Sequence, residues 1–268
     1  MYIKHLFFTA TFALTLWFSP SLFAQADDAE LAKKTQNPVG DLISVPFQNN
    51  IGFKYGPEEK VQNVLNIQPV IPFSLGENWN LITRTIMPVI SMPTLTPSGS
   101  GTSGLGDINL TAFLSPSKPG GLIWGAGPIL LLPTATDKIL GTGKWGVGPS
   151  VVLLAMKNQW VYGALVNNVW SVAGDSDRGD INQMLFQPFL NYNFPGGTYF
   201  SSGPLITANW EAESGNQWTV PLGGGFGKIV KLGKMPLNLS AQAFYNVVTP
   251  DYGSDWTLRL QIQMLFPK

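Results

Sequence analysis

The sequence predicts an all-β protein, specifically a transmembrane, antiparallel, up-and-down β-barrel of about 12 strands. Three observations predict this fold class. The chain begins with an apolar leader, strand-like runs follow with alternating short and long connections, and tryptophan recurs near the ends of the runs. Together they indicate an exported chain that crosses a lipid bilayer with strands.

The first 26 residues have the pattern of a cleavable signal peptide. Lys4 and His5 precede the apolar run 6–18, which is too short to cross a bilayer as a helix. Ala24-Gln25-Ala26 forms a small-x-small cleavage site. We therefore expect export and removal of residues 1–26, with an uncleaved anchor as the alternative.

Composition excludes several kinds of function. Lys plus Arg and Asp plus Glu both number 16, and this balance argues against a nucleic-acid partner, which would require a basic surplus. The chain has no Cys, and cleavage would remove its only His, so catalysis or metal binding by either residue type is not expected. We predict a protein that is not an enzyme and that holds no cofactor and no metal.

Strand-like runs fill the chain after residue 41. They are rich in Val, Ile, Leu, Thr and aromatic residues, and Gly, Pro, Asn and Asp separate them. The predicted runs are 42–54, 61–74, 79–92, 107–115, 122–133, 146–157, 160–173, 181–194, 198–210, 218–232, 235–248 and 256–266. Their even number and their lengths suit a barrel crossing a membrane.

The connections between these runs alternate in length. The shorter turns are 76–78, 116–121, 158–159, 195–197 and 233–234, and the longer loops are 55–60, 93–106, 134–145, 174–180, 211–217 and 249–255. Turn 116–121 is as long as the shortest loop and is the weak point of the pattern. Outer-membrane barrels alternate in this way because their periplasmic turns are tight and their external loops are long.

Side chains alternate in the last predicted strand between an apolar and a polar face. The apolar face contains Trp256, Leu258, Leu260, Ile262, Met264 and Phe266, and the polar face contains Thr257, Arg259, Gln261 and Gln263. A period of two with one apolar face fits a lipid side and a lumen side. The segment 147–156 departs from this pattern because it is apolar on both faces.

Tryptophans lie close to the predicted strand ends. Trp79, Trp124 and Trp160 fall at the short-turn end, and Trp145, Trp170, Trp210, Trp218 and Trp256 fall at the long-loop end. This placement predicts the two aromatic girdles of a barrel in lipid. Core tryptophans at the edges of a soluble β-sandwich are the alternative.

The segment 27–41, called the N-terminal segment below, differs from the strands. Residues 29–36 could form a short helix that Asn37-Pro38 would end. We predict a periplasmic segment that either lies free below the barrel or folds into the barrel mouth, with a disordered leader as the alternative.

Prolines inside predicted strands conflict with a continuous wall, because proline cannot donate a ladder hydrogen bond. They are Pro46, Pro69, Pro72, Pro88, Pro128, Pro149, Pro188, Pro204 and Pro221. Hairpin geometry around 195–197 places Pro188 opposite Pro204. We hypothesise a kinked seam there that narrows the lumen or opens toward lipid, and simple bulges are the alternative.

Three glycine-rich or acidic stretches are candidate binding sites. Gly141 to Gly146 matches G-x-G-x-x-G, but no predicted helix follows it, so the dinucleotide-binding context is missing. The glycines of 223–227 lie inside a strand and predict close approach of a bulky neighbour. The carboxylates of 175–180 resemble a calcium loop, but a solvated external loop is the favoured interpretation.

Amides and two arginines form the candidate lumen lining. These residues are Asn66, Gln68, Arg84, Asn109, Gln183, Gln187, Asn191, Asn193, Asn238, Gln242, Asn246, Arg259, Gln261 and Gln263. Such a lining, with sparse charge, suits neutral or weakly polar solutes. A plugged interior in which the amides bond to each other is the alternative.

Several stretches resemble a known family. They are the segment 36–50 with its Gln-Asn-Pro-Val-Gly-Asp start, Asn80 to Thr85, Gly104 to Asn109, and the ending Leu265 to Lys268. They are similar to outer-membrane transporters grouped with the proteins of the MetA pathway of phenol degradation, some of which have the misleading label neuromedin U. The resemblance covers the whole mature chain and implies a barrel for uptake of hydrophobic or aromatic compounds, without a site motif to transfer.

Three functions follow as hypotheses. The first is a channel or transporter for passive uptake of small, neutral or hydrophobic and aromatic solutes. The second is a non-conducting structural or ligand-binding barrel, and the third, an outer-membrane enzyme, is disfavoured by the missing histidine. In each case the expected partners are the lipid bilayer with lipopolysaccharide, the outer-membrane assembly machinery and a small-molecule solute.

Overall fold

The chain forms a closed, antiparallel β-barrel of 12 strands, as predicted. The computed structural model describes residues 22–96 and 99–267. The elements are α1 (Leu22–Thr35), β1 (Ile43–Tyr55), β2 (Lys60–Ile67 and Val70–Leu75), β3 (Trp79–Met92), β4 (Thr102–Leu105 and Ile108–Pro116), β5 (Leu122–Leu132), β6 (Lys144–Lys157), β7 (Trp160–Gly174), β8 (Asn182–Asn193), β9 (Thr198–Ser202 and Ile206–Asn209), β10 (Trp218–Leu232), β11 (Met235–Val248) and β12 (Trp256–Phe266). Each strand pairs with its sequence neighbours, and β1 closes the barrel by pairing with β12 from Ile43↔Phe266 to Phe53↔Trp256.

The predicted strand ends agree with the structure for β3, β10, β11 and β12 and need correction at β4 and β6. The segment Thr102–Leu105 was predicted to be loop, but it pairs with the end of β3 from Met92↔Thr102 to Val89↔Leu105. Its Gly, Ser and Thr content resembles a loop, and only the neighbouring strand makes it extended. Likewise β6 begins at Lys144 rather than at residue 146.

The predicted signal peptide falls mostly on residues 1–21, which lie outside the described residues. In the part of the chain that is described, no helix is both long enough and apolar enough to cross a membrane.

The alternation predicted for the last strand is present in β12. Leu260 and Ile262 are 40% and 51% exposed on the outer wall, whereas Arg259 and Gln263 are buried on the inner wall. Aromatic pairs lie at both barrel ends, with Trp79 against Trp124 at the short-turn end and Trp210 against Trp218 at the long-loop end. The outer wall is therefore apolar and bounded by aromatic rings.

The predicted opposition of Pro188 and Pro204 is confirmed by the strand register. The β8–β9 ladder runs as far as Leu190↔Ser202 and resumes at Phe186↔Ile206, so the two prolines face each other in the gap. Among the described residues, 203–205 have no ladder partner in β10 either, because pairing stops at Ser201↔Gly225 and resumes at Thr207↔Thr219. We call residues 203–205 the seam.

Each of the other strand prolines except Pro69 keeps a ladder partner on at least one side. Pro128 and Pro149 face each other within a continuous β5–β6 ladder, and Pro46 is paired with Gln263. At Pro69, where β2 is interrupted, its carbonyl still accepts the Thr85 N–H at 3.1 Å. The second ladders of Pro128 and Pro149 are interrupted, because β4–β5 pairing skips residues 127 and 128 and β6–β7 pairing skips residues 148 and 149. The seam differs because it lacks ladder partners on both sides.

The backbone amides of the seam should exchange with solvent faster than their neighbours, because they lack ladder hydrogen bonds to β8 and β10. We expect the amides of Gly203 and Leu205 to exchange faster than those of Ser201 and Thr207 in the same strand, because protection follows hydrogen bonding to neighbouring strands. Exchange resolved by mass spectrometry in detergent micelles tests this. Equal protection along 198–209 would contradict an interrupted wall.

Candidate functional site

The N-terminal segment lies in the barrel mouth at the short-turn end. Helix α1 packs through Ala32, which is fully buried in a cluster with Tyr199, Ile229 and Leu265. The helix ends at Thr35, just before Asn37-Pro38, and the Asn37 Oδ1 accepts the Val39 N–H at 3.0 Å. This turn sends the following residues into the lumen.

Polar bonds hold the segment against the inner wall. Gln36 and Asn193 exchange amide hydrogen bonds of 2.9 and 3.0 Å. The Asn238 Nδ2 donates to Thr35 Oγ1 at 3.3 Å. The candidate lumen amides near this end are therefore used to bind the chain's own N-terminal segment.

An apolar cluster inside the lumen receives Val39. Val39 is 4% exposed, and it packs with Ile82, Phe113, Val152, Leu154, Val161 and Leu165. Sequence reasoning missed this cluster, although a signal was present. The segment 147–156 is apolar on both faces because one face contacts the outside and the other, through Val152 and Leu154, contacts the N-terminal segment.

Above this segment the lumen contains a series of adjoining spaces that share lining residues. A lower chamber of about 210 Å³ lies against residues 34–38, and an upper chamber of about 500 Å³ lies closer to the long loops. Arg84 and Leu165 line both chambers. An outer pocket of about 620 Å³ between the β1–β2 and β11–β12 loops shares Thr219 and Pro250 with the upper chamber.

The structure brings most of the candidate lumen residues together. The lower chamber is lined by Gln68, Arg84, Gln187, Asn191, Asn238, Gln242, Arg259, Gln261 and Gln263. Asn109 and Gln183 line the upper chamber with Arg84. The others lie elsewhere: Asn246 lines the outer pocket, Asn193 bonds to the N-terminal segment, and Asn66 is paired with Gln48.

Arg259 is buried at the inner face of the seam. Its Nη1 donates to the Gly203 carbonyl at 2.9 Å and to Gln242 Oε1 at 3.3 Å, and its Nε donates to Asn50 Oδ1 at 3.1 Å. The guanidinium also lies 4.6 Å from the centre of the Phe244 ring. Arg259 therefore connects the unpaired part of β9 to β1 and β11.

Tyr199 is placed by the glycines of β10. It lies directly opposite Gly227 in the register, and its hydroxyl donates to Asn238 Oδ1 at 2.7 Å. A Cβ at Gly227 would lie 2.2 Å from the Tyr199 ring. This contact is the close approach of a bulky neighbour that the sequence predicted for 223–227.

The other two predicted motifs form packed external loops. The stretch Gly141 to Gly146 leads into strand β6, and Asp107 fixes it by accepting the Thr142 N–H at 2.6 Å. Arg178, from the acidic loop 175–180, donates to the carbonyls of Gly141 and Thr142. Within the described ranges, no group of three His, Cys, Asp or Glu side chains is arranged to hold a metal ion.

The closed wall, the apolar outer surface and the aromatic rings at both ends define an outer-membrane β-barrel protein. The chain is similar in structure to an outer membrane channel from Pseudomonas putida F1, with a TM-score of 0.64 and 19% identity over 86% of this chain and 97% of that one. It is also similar to the beta domain of the Bordetella autotransporter BrkA, with a TM-score of 0.50 and 12% identity over 84% of this chain and 100% of that domain.

Comparisons of sequence do not assign the chain to a family. No family model matches the chain, and no curated protein matches it. At these identities the two structures support the barrel fold.

Proposed function

We propose that the protein is an outer-membrane channel for passive uptake of small solutes. The observation that supports this most is the series of outer pocket, upper chamber and lower chamber, which adjoin at Thr219 and Pro250 and again at Arg84 and Leu165. Under this proposal a solute enters between the loops and passes through the adjoining spaces as far as residues 34–38 near the short-turn end. We take the short-turn end to be periplasmic.

The lumen has an amide-lined surface and an apolar surface, and together these favour neutral, hydrophobic or aromatic solutes. Amides line much of the lower chamber, while Leu165 and Phe189 line the same space and the apolar cluster around Val39 adjoins it. A solute with a flat apolar body and one or two polar groups could contact both surfaces. The resemblance to transporters of the phenol-degradation group is consistent with this class of solute.

A specific observation favours a second candidate, a non-conducting barrel. Residues 34–38 line the lower chamber from below, and Val39 is buried in the inner apolar cluster. If this segment never moves, the path has no periplasmic exit, and the loops would be the functional surface. Under the channel proposal the segment must shift, or solute must leave through the seam, which borders the lower chamber at Gly203.

Single-channel conductance of the refolded mature protein in a planar bilayer separates the two candidates. We expect discrete conductance steps that an aromatic solute such as phenol reduces, because the chambers are narrow. A protein that inserts and shows the heat-modifiable migration of a folded barrel, but has no conductance steps, would support the non-conducting barrel instead.

A further inference from the structure

The charged side chains that line the lower and upper chambers are all of one sign. Among the described residues that line the lower chamber, Lys34, Arg84 and Arg259 are cationic and none is Asp or Glu. The lining of the upper chamber contains Arg84 and likewise no carboxylate. Lys34 is ion-paired with Glu30 at 3.2 Å, so the two arginines are the cations of this chamber that have no carboxylate partner among the described residues.

Arg84 has hydrogen-bonding capacity left over. A guanidinium has five N–H donors. Within the described part of the chain, its one hydrogen bond to protein is from Nη2 to Gln68 Oε1 at 2.7 Å. Arg84 therefore lies where the two chambers meet with donors available to a ligand.

The guanidinium of Arg259 donates hydrogen bonds to neutral groups. Its acceptors are an amide oxygen of Asn50, an amide oxygen of Gln242 and the carbonyl of Gly203. No ion pair among the described residues includes Arg84 or Arg259. Because neutral dipoles leave the net charge in place, and the surroundings have a lower dielectric constant than water, the lower chamber has a positive potential.

Apolar side chains complete the same chamber. Leu42, Val70, Leu165 and Phe189 line it beside the two arginines. Guanidinium groups bind carboxylates through two parallel, charge-assisted hydrogen bonds, and apolar walls accept a hydrocarbon body. The chamber thus combines the two features that recognise a small organic acid.

We propose that the lower chamber is a binding site for small organic monocarboxylates, with Arg84 contacting the carboxylate and Arg259 supplying a second positive charge. The site rests on the proposed channel function and goes beyond it, because it adds a charge preference to a lumen otherwise suited to neutral solutes. A carboxylate would bind at the junction of the two chambers, on the path of any permeating solute.

Calorimetry on the folded mature protein in detergent tests the site, with benzoate as the probe and benzyl alcohol as its neutral counterpart. We expect benzoate to bind and benzyl alcohol to bind at least about tenfold more weakly. Arg84→Gln should weaken the binding of benzoate by about tenfold and leave the binding of benzyl alcohol unchanged. A loss of about tenfold is the effect of removing one charge-assisted hydrogen bond. Lys228→Gln, which removes an exposed cation from the outer wall, should leave benzoate binding unchanged.

Arg84→Lys and Arg259→Lys keep the positive charge, and they therefore distinguish loss of the binding site from loss of the folded barrel. We expect each to retain part of the benzoate affinity that Arg84→Gln loses. Equal binding of benzoate and benzyl alcohol, or unchanged benzoate binding in Arg84→Gln, would overturn the site.

Planar-bilayer recordings separate this proposal from the channel function. A silent protein that still binds benzoate through Arg84 would overturn the channel and support the site. A conducting protein whose currents are cation-selective and insensitive to benzoate would support the channel and overturn the site.

Discussion

Val39→Asp is expected to release the N-terminal segment from the lumen and to raise single-channel conductance. Val39 is buried among Ile82, Phe113 and Val152, where an unpaired carboxylate would have no partner. Placing a charge there costs roughly 3 kcal/mol or more, which shifts docking of the segment by more than about a hundredfold. The barrel itself should persist, because its ladders do not depend on Val39.

Conductance in planar bilayers and the β-sheet signal in circular dichroism are the two measurements for this variant. Asp41→Asn is the matched control, since Asp41 is exposed two residues along the chain and its change should leave conductance as in the parent protein. Unchanged conductance in a folded Val39→Asp protein would show that the segment is not what limits the path.

Gly227→Ala is expected to destabilise the barrel by about 2 to 3 kcal/mol, a large effect for one added methyl group. The new Cβ would lie 2.2 Å from the Tyr199 ring and would displace it. Displacement also breaks the hydrogen bond from Tyr199 to Asn238 and disturbs the packing of Ala32. Urea unfolding in detergent micelles, followed by tryptophan fluorescence, measures the change.

A double-mutant cycle tests the cause of this destabilisation. In a Tyr199→Ala background, Gly227→Ala should be close to neutral, because the ring that the methyl group meets is absent. Gly120→Ala is a matched control, since a Cβ at Gly120 has no atom within 4 Å. If Gly227→Ala costs as much without the Tyr199 ring as with it, backbone strain rather than ring contact is the reason.

The lumen uses its two surfaces for different purposes. Amides near the short-turn end bind residues 35 and 36 of the N-terminal segment, and the apolar wall receives Val39. The two arginines line the lower chamber from the barrel wall, and residues 34–38 line the same chamber. The hydrogen bonds that hold Arg84 and Arg259 all go to residues of the barrel and none goes to the N-terminal segment, so movement of the segment would leave these bonds in place.

The sequence by itself determined the fold class, the strand count and the face of most side chains. These follow from local rules: a period of two sets which side chains face lipid, turn residues end the strands, and tryptophan prefers the interface. Thus β3 and β12 were predicted at their observed ends, and Arg259 was predicted to face inward. The opposition of Pro188 and Pro204 also followed, because one tight hairpin fixes the register of its two strands.

Only the tertiary structure decided what fills the lumen and how its groups are paired. Val39 reaches Leu154 and Phe113 across more than 70 residues of sequence, and no local pattern specifies such a contact. The same holds for the bond from Arg259 to the carbonyl of Gly203 and for the lack, among the described residues, of a carboxylate paired with either arginine. These features depend on which strands become neighbours when the barrel closes, because closure, and not local propensity, brings distant inward faces into one shared space.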